Sequence, residues 1–330
     1  MTEVGDLPAI GIGVVGCGDW GRNHIRTLAG MGRLAWLYDP DPARLAAAAQ
    51  LAPGVRQGRA LDELLDNGVA GVVIASPAVT HRHLAEQIMG YGCDVLVEKP
   101  LALSVAEART IARLAADLGR VLMVGHVLEY HPGLLRAFTL VAEGAIGEPR
   151  YAYSNRLNFG KVRTEESILW SFAPHDIALM LRLGGRLPVT VSAESAALLR
   201  AGMPDVTVTH LDFPGRLRAH IFVSWLHPFK EQRFVVVGSE GTITFDGVGG
   251  DLVLHRQSVA FEGGVATLAA APAEKVPFAT GSALGNELTD FIECIVTRRR
   301  PVADAASGIE VLRVIEACAT NSGPTILTAD

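Results

Sequence analysis

The feature that most constrains this chain is a six-residue run near its start, Gly16-Cys17-Gly18-Asp19-Trp20-Gly21. The apolar stretch Ile10–Val15 precedes it and a helical pattern over Arg22–Met31 follows. Glycines at Gly-x-Gly-x-x-Gly spacing, after a buried strand and before a helix, have three uses. They turn the chain tightly, let the backbone approach a ligand, and let helix and strand pack closely. The pattern occurs twice in overlap, because Gly11-Ile12-Gly13-Val14-Val15-Gly16 fits it as well. Context separates the two. The earlier register leaves only Leu7–Ile10 as a strand, interrupted by Pro8, whereas the later one has a full strand before it. The later one also has Asp39 at the end of the second strand, 23 positions after Gly16 instead of 28 after Gly11. An acid about 20 residues on is where a ribose is read. The later register predicts a pyrophosphate at a helix N-terminus, met by free N–H groups and the positive end of the dipole. Gly16, Gly18, Asp19, Trp20, Gly21 and Asp39 are therefore candidate dinucleotide contacts. Asp39 suits two ribose hydroxyls and repels a 2′-phosphate, and the nearest downstream arginine is Arg44, so NAD is favoured over NADP.

The same rhythm continues for over a hundred residues. Apolar runs at Leu34–Tyr38, Gly71–Ala75, Asp94–Val97 and Val121–Val124 alternate with helical patterns at Pro42–Leu51, Leu61–Asp66, His81–Tyr91 and Val105–Leu118. Asp41 is placed to cap a helix with Pro42 at its first position, and Ser104 with Glu107 makes a capping box. Such alternation predicts a Rossmann-type, doubly wound parallel α/β sheet over residues 1–127. Beyond it the pattern changes to helices at Gly133–Glu143 and Pro174–Leu183. Strands are then expected at Val189–Leu198, Val206–Phe213, Leu217–Trp225, Gln232–Val237, Thr242–Phe245 and Asp251–His255, before helices at Ala283–Thr297 and Gly308–Ser322. Residues 128–330 are thus expected to form an α+β domain on a largely antiparallel sheet, with Gly247–Gly250 and Glu262–Ala273 as loops. A chain of 330 residues suits two domains.

Composition narrows the partners. Lys and Arg number 29 against 35 Asp and Glu, a formal charge of −6, which argues against a broad nucleic-acid or anionic-membrane surface. Arg298-Arg299-Arg300 is the densest basic run and sits where a helix is expected to end, so dipole compensation accounts for it. Cys17, Cys93, Cys294 and Cys318 are far apart, with neither metal-ligand nor disulfide spacing. No metal is expected. No apolar run is long enough to cross a bilayer, and the acidic start, with Glu3 and Asp6, does not read as a signal peptide. A reducing, cytoplasmic setting is expected.

Two further segments belong at the carboxyl ends of strands, where ligands bind in doubly wound sheets. Ser76, Pro77, Thr80 and His81 follow the third apolar run and suit a cofactor wall, although Thr80 also suits a helix cap. Asp94-Val95-Leu96-Val97-Glu98-Lys99-Pro100 sends a buried strand into a charged pair, so Glu98 and Lys99 are candidate cofactor contacts and Lys99 a candidate catalytic group. Position alone leaves open a surface lysine paired with Glu98.

The glycine loop, the Glu98-Lys99-Pro100 tripeptide, the change from α/β to α+β, and Gly285-Asn286-Glu287-Leu288 with the final helix pair together resemble the Gfo/Idh/MocA family of sugar and polyol oxidoreductases. The resemblance covers nearly the whole chain. It implies that Lys99 contacts the reacting substrate oxygen and that His175, in Trp170-Ser171-Phe172-Ala173-Pro174-His175-Asp176, sits beside the reacting hydroxyl. A histidine suits proton transfer near neutral pH, and a cationic lysine favours an alkoxide-like transition state. Many members carry an aspartate four residues before that histidine. This chain has Ser171, and Pro174 puts a shared helix face for Ser171 and His175 in question. That departure leaves the identity of the base open.

Tyr153–Arg163 and Gly125–Pro132 resemble the branch acting at C3 of UDP-N-acetylglucosamine or its uronate. The resemblance makes Arg156, Lys161 and Arg163 candidates for diphosphate or carboxylate groups, and Asn155, Asn158 and His131 for sugar hydroxyls. Asp176 is a candidate for orienting its surroundings. Each also reads as a polar residue facing water. The expected substrate is a sugar, with a homodimer or homotetramer as the assembly. Two alternatives stand: a dehydrogenase of a free aminosugar, cyclitol or deoxysugar, and a non-catalytic NAD-binding regulator, which would need neither Lys99 nor His175.

Overall fold

A computed structural model describes residues 8–66, 68–160, 162–319 and 324–327. Five strands of the first sheet carry buried, β-branched or aliphatic runs. In chain order the elements are β1 (Gly11–Val15), α1 (Gly21–Gly30), β2 (Leu34–Tyr38), α2 (Pro42–Ala49), β3 (Arg56–Gln57), β4 (Val69–Ile74), α3 (His81–Gly90), β5 (Asp94–Glu98), α4 (Val105–Asp117) and β6 (Leu122–Gly125). The strands pair in parallel in the order β3-β2-β1-β4-β5-β6. The order reverses between β1 and β4, so the loops after those strands splay apart and leave a crevice at the carboxyl edge. Helix starts follow from local chemistry. Asp41 accepts from the N–H groups of Ala43 and Arg44, and Ser104 accepts from Glu107 N–H. Glu107 closes back on Leu103 N–H at 3.2 Å, one residue before the partner a capping box specifies. Leu61–Asp66 forms a 3-10 helix in place of the expected α-helix.

The second unit contains α5 (Pro132–Ala142), β7 (Pro149–Phe159), α6 (Ile168–Gly184), β8 (Thr190–Ala196), β9 (Val206–Asp212), β10 (Arg218–Ser224), β11 (Leu226–Gly238), β12 (Thr242–Asp246) and β13 (Asp251–His255). These are followed by β14 (Gln257–Glu262), β15 (Val265–Ala270) and β16 (Glu274–Lys275). With β17 (Thr325–Ile326), nine strands form one sheet in the order β16-β13-β12-β11-β7-β10-β9-β8-β17, antiparallel except for β7 beside β10. The segment expected to be a loop at Glu262–Ala273 instead supplies the turn and the second strand of a separate two-stranded hairpin, β14–β15, turned by Gly263 and Gly264 at positive φ. α6 packs on β7, β9 and β10 and starts at Ile168, six residues before the expected Pro174. Pro174 therefore lies inside the helix. A proline there removes one ladder bond, which Ile168, Leu169, Ala173, Ile177 and Met180 offset by burial.

The chain then returns to the first unit. α7 (Ala283–Thr297) lays Leu288, Phe291, Ile292 and Cys294, all fully buried, into the core formed by Ile12, Val14, Ile25, Leu28, Val73 and Leu96. α8 (Ala305–Ala319) follows. The two compact units are residues 1–130 with 281–312, and 131–280 with 313–330. Assigning everything after residue 127 to the second domain misses residues 281–312, because a helix that completes a core from far along the chain leaves no mark at the boundary it bridges. Among the described residues, no helix is long and apolar enough to cross a membrane.

Candidate active site

Each glycine of the first loop has its own reason to be there. Gly16 has φ +94°, and a Cβ on it would lie 2.6 Å from Ser76 N. A Cβ on Gly21 would lie 1.9 Å from Gly16 O, so the start of α1 sits directly on the turn. Around Gly18 nothing lies within 4 Å of such a Cβ. That glycine serves no packing need, and its open side is where a pyrophosphate can approach the backbone. The earlier register is accounted for differently: Gly11 and Gly13 are strand residues pressed against Ala35 and Trp36.

Asp39 is buried at the end of β2. One carboxylate oxygen accepts from Cys17 N–H at 2.7 Å and the other from Asp41 N–H at 2.9 Å. It thereby ties the loop to the neighbouring strand, and each oxygen keeps a further lone pair for a ribose. Cys17 is wholly buried, and burial with the nearby Asp39 charge pushes its thiol up to about 12, so it stands as a protonated thiol and no nucleophile. Asp19 and Trp20 are exposed on the loop. The Trp20 indole N–H reaches down to Glu98 Oε1.

The turns after β4 and β5 are joined by one histidine. His81 is buried, with Nδ1 2.8 Å from Pro100 O and Nε2 2.9 Å from Ser76 O. Burial holds its pKa below the ordinary histidine value. Thr80 precedes α3 without capping it: its hydroxyl donates to Pro77 O and meets Ser76 Oγ at 2.6 Å. Pro77 is exposed beside them. Lys99 follows the last residue of β5, half-buried at the carboxyl edge, with its N–H on Glu98 Oε2 at 3.2 Å and a cis peptide to Pro100. Glu98 is held by Trp20 and by His24 Nε2 at 2.7 Å. Burial opposes its ionisation, but His24, the Lys99 ammonium and Trp20 together outweigh that and hold its carboxyl below the usual range.

Two residues of this nest escape the sequence reading. His24 lies on α1 and Glu287 on α7, both fully buried, and with Glu98 they offer ligand atoms within 4.8 Å of one another. Glu287 shares the apolar face of α7 with Leu284, Leu288 and Phe291, and an acid at such a position is the signal that was available.

In the second unit, the helix carrying Ser171 also carries His175, so the two stand one turn apart on one face after all. His175 is half-buried. The next residue, Asp176, is buried and accepts from Ser154 Oγ, from Arg156 Nε at 2.6 Å and from Arg156 Nη2 at 3.1 Å. Arg156 is thus clamped to α6, whereas the sequence offers it to an anion. Asn155 donates to Glu231 at 2.9 Å, and the exposed Arg163 lies 3.7 Å from Glu166. Asn158 is half-buried near the end of β7. Lys161 lies outside the described residues. His131 caps α5, its Nδ1 accepting from Gly133 N–H at 3.1 Å, and packs on Phe245. Burial lowers its pKa, so it accepts there as a neutral ring.

With this geometry in place, comparison with known proteins is specific. Residues 10–126 match the Gfo/Idh/MocA family described as "Oxidoreductase family, NAD-binding Rossmann fold", and residues 134–244 match the Gfo/Idh/MocA C-terminal domain. A UDP-N-acetylglucosamine 3-dehydrogenase of Acidithiobacillus ferrooxidans is 28% identical over 302 residues, 91% of this chain and 93% of that protein. Its crystal structure superposes with a TM-score of 0.83 over 94% of this chain and 96% of that one, at 27% identity. Inositol 2-dehydrogenase 1 of Saccharopolyspora erythraea is 28% identical over 320 residues, 93% of this chain and 92% of that one. GenD2 from gentamicin A biosynthesis, solved with NAD, gives a TM-score of 0.81 at 26% identity over 98% of this chain and 97% of that one. The two family matches, over one NAD-binding Rossmann unit and one family-specific C-terminal unit, establish that this chain belongs to the Gfo/Idh/MocA oxidoreductases.

Proposed function

We propose that this chain is an NAD-dependent dehydrogenase of a sugar secondary alcohol, acting at C3 of a nucleotide-linked aminosugar, in the cytoplasm and as a homodimer or homotetramer. The observation that carries the reading is Lys99, half-buried at the carboxyl end of β5 in the same unit as the glycine loop. Gly16, Gly18 and Gly21 with the start of α1 would hold the pyrophosphate. Asp39 would hold the adenosine ribose and disfavour a 2′-phosphate, and Asp19, Trp20, Ser76, Pro77, Thr80 and His81 would line the remainder. Bound NAD supplies the hydride acceptor, or in its reduced form the donor.

The remaining chemistry falls to side chains. Lys99 Nζ donates to the sugar oxygen and stabilises the negative charge that grows on it. A His175 ring nitrogen takes the hydroxyl proton in oxidation and returns it in reduction. Asp176 holds Arg156 and Ser154 in the strand beside the histidine's helix, so it orients the surface from which His175 projects. Asn155, Asn158, His131, Lys161 and Arg163 would face the substrate.

A second reading, a free aminosugar or cyclitol, is favoured by one observation: Arg156 and Arg163 already face carboxylates, which leaves less cationic capacity for a diphosphate. The similarity to an inositol 2-dehydrogenase supports it as well. The test is NADH absorbance with nucleotide sugars, free aminosugars and cyclitols. We expect turnover with UDP-linked aminosugars, and a fall of about a thousandfold or more in Lys99→Ala and His175→Ala. Turnover confined to free polyols would move the assignment to the second reading, and unchanged rates in both variants would remove the mechanism.

A further inference from the structure

Behind Lys99 lies a nest of carboxyl groups whose hydrogen-bond supply is uneven. Asp290 accepts from Tyr130 OH at 2.7 Å, Arg299 Nη2 at 2.5 Å and Val302 N–H at 3.2 Å. Glu98 accepts from Trp20, His24 and its neighbour's N–H. Glu287, with no exposed surface, has no hydrogen-bond partner for either oxygen among the described residues. An ionised carboxylate without donors in such a place is strongly disfavoured, so the charge goes to the supplied groups and the proton to the unsupplied one.

We propose that Glu287 is a positioning residue: a neutral carboxylic acid that stores a proton behind Glu98 and so fixes the charge of the Glu98–Lys99 pair. This rests on the reading of Lys99 given above. Glu287, Glu98 and His24 offer atoms within 4.8 Å of one another, close enough for each group's charge to set the others' protonation. The groups facing Glu287 are His24 from α1, Glu98 at the end of β5, Glu129 from the turn over Val127–Tyr130, and Asp290 on α7 itself, and the Lys99 ammonium acts on Glu98, the carboxylate between them. Burial first, then the charges of Glu98, Glu129 and Asp290, raise its pKa well above the ordinary carboxyl value.

While Glu287 is neutral, the Lys99 ammonium faces one carboxylate and remains available to the sugar oxygen. Losing that proton adds a second negative charge, which draws the ammonium inward and away from substrate. A metal ion held by the same three residues is the competing use of this geometry. The two N–H donors converging on Glu98 Oε1 argue for a carboxylate acceptor there and against a cation.

The experiment uses the full chain loaded with NAD. Infrared difference spectra between wild type and Glu287→Gln at neutral pH are expected to show the C=O stretch of an unionised carboxylic acid in the wild type only. In the pH profile of kcat, the alkaline limb of Glu287→Gln is expected about one pH unit or more above that of the wild type. Glu287→Met, of similar volume and also neutral, keeps the test alive should the glutamine variant misfold. It must lack the same band and show the same shifted limb. A wild type without the band, superimposable alkaline limbs, or stoichiometric metal bound through Glu287 would each overturn the proposal. Full turnover in Lys99→Ala with the band intact would instead overturn the role given to Lys99, so the two failures are distinct.

Discussion

At the scale of single residues, the glycine loop separates two kinds of necessity. Gly21 is excluded from being anything larger by Gly16 O, 1.9 Å from where its Cβ would sit, and the fold itself would have to give. Gly18 has room, so its constraint comes from what the loop binds. Alanine at the two positions should therefore fail in opposite ways. Gly21→Ala is expected to lose about 2–3 kcal/mol in urea unfolding through overpacking. Gly18→Ala should unfold within about 0.5 kcal/mol of the wild type yet bind NAD roughly tenfold more weakly in calorimetric titration. Equal loss of stability in both would mean that Gly18 is kept for packing. The sequence distinguishes these roles only through context, since both residues are simply glycine.

At the scale of elements, what was legible follows from how far periodicity and capping reach. β2 and β13 fall on their expected bounds, and Asp41 and Ser104 cap their helices, because those signals are local. β7 has no place among the expected strands, although it is the central strand of the second sheet. Its inward residues include Ala152 and Ser154, small or polar enough to hide a strand's alternation, and the acid that explains Ser154 and Arg156 lies about 20 residues on, in α6. The start of α6 was misplaced for a related reason. Proline is over-represented at the first position of a helix, and only the burial of Ile168 and Leu169 shows that this one is interior.

α7 ends on Arg298, a non-glycine residue at φ +58° whose guanidinium holds the buried Asp94 at 2.6 and 3.1 Å. The ion pair offsets the left-handed backbone, so both substitutions here should destabilise, but unequally. Arg298→Ala is expected to cost about 1–3 kcal/mol by leaving Asp94 without its cation. Arg298→Gly should cost about 1 kcal/mol less, because glycine takes positive φ freely. Chemical denaturation reads both, and an alanine variant at least as stable as the glycine variant would show that the backbone is not strained.

At the scale of the whole molecule, the first unit is made from two pieces of chain, and the later piece supplies more than a cover. Phe291 and Ile295 of α7 lie so close to β4 that a Cβ on Gly71 would come within 2.5 Å of Ile295 and 3.0 Å of Phe291. Leu284, Leu288, Phe291, Ile292, Cys294 and Ile295 are all buried in that core. At about 2 kcal/mol for each such side chain, their burial is worth roughly 12 kcal/mol, comparable to the whole net stability of a typical domain at about 5–15 kcal/mol. α7 also carries Glu287 and brings Asn286 Nδ2 to Tyr130 O at 3.0 Å, so the two pieces meet where the first one ends. Residues 1–130 contain every expected NAD contact, yet expressed alone they should neither unfold cooperatively nor gain stability from NAD. The same residues joined through a short flexible linker to 281–312 should do both, because Tyr130 and Asn286 already lie in hydrogen-bond contact. Thermal unfolding by circular dichroism, with and without NAD, distinguishes the two. A cooperative, NAD-stabilised transition in 1–130 alone would show that the parallel sheet closes its core unaided, and that α7 is an addition to the NAD-binding unit instead of one of its walls.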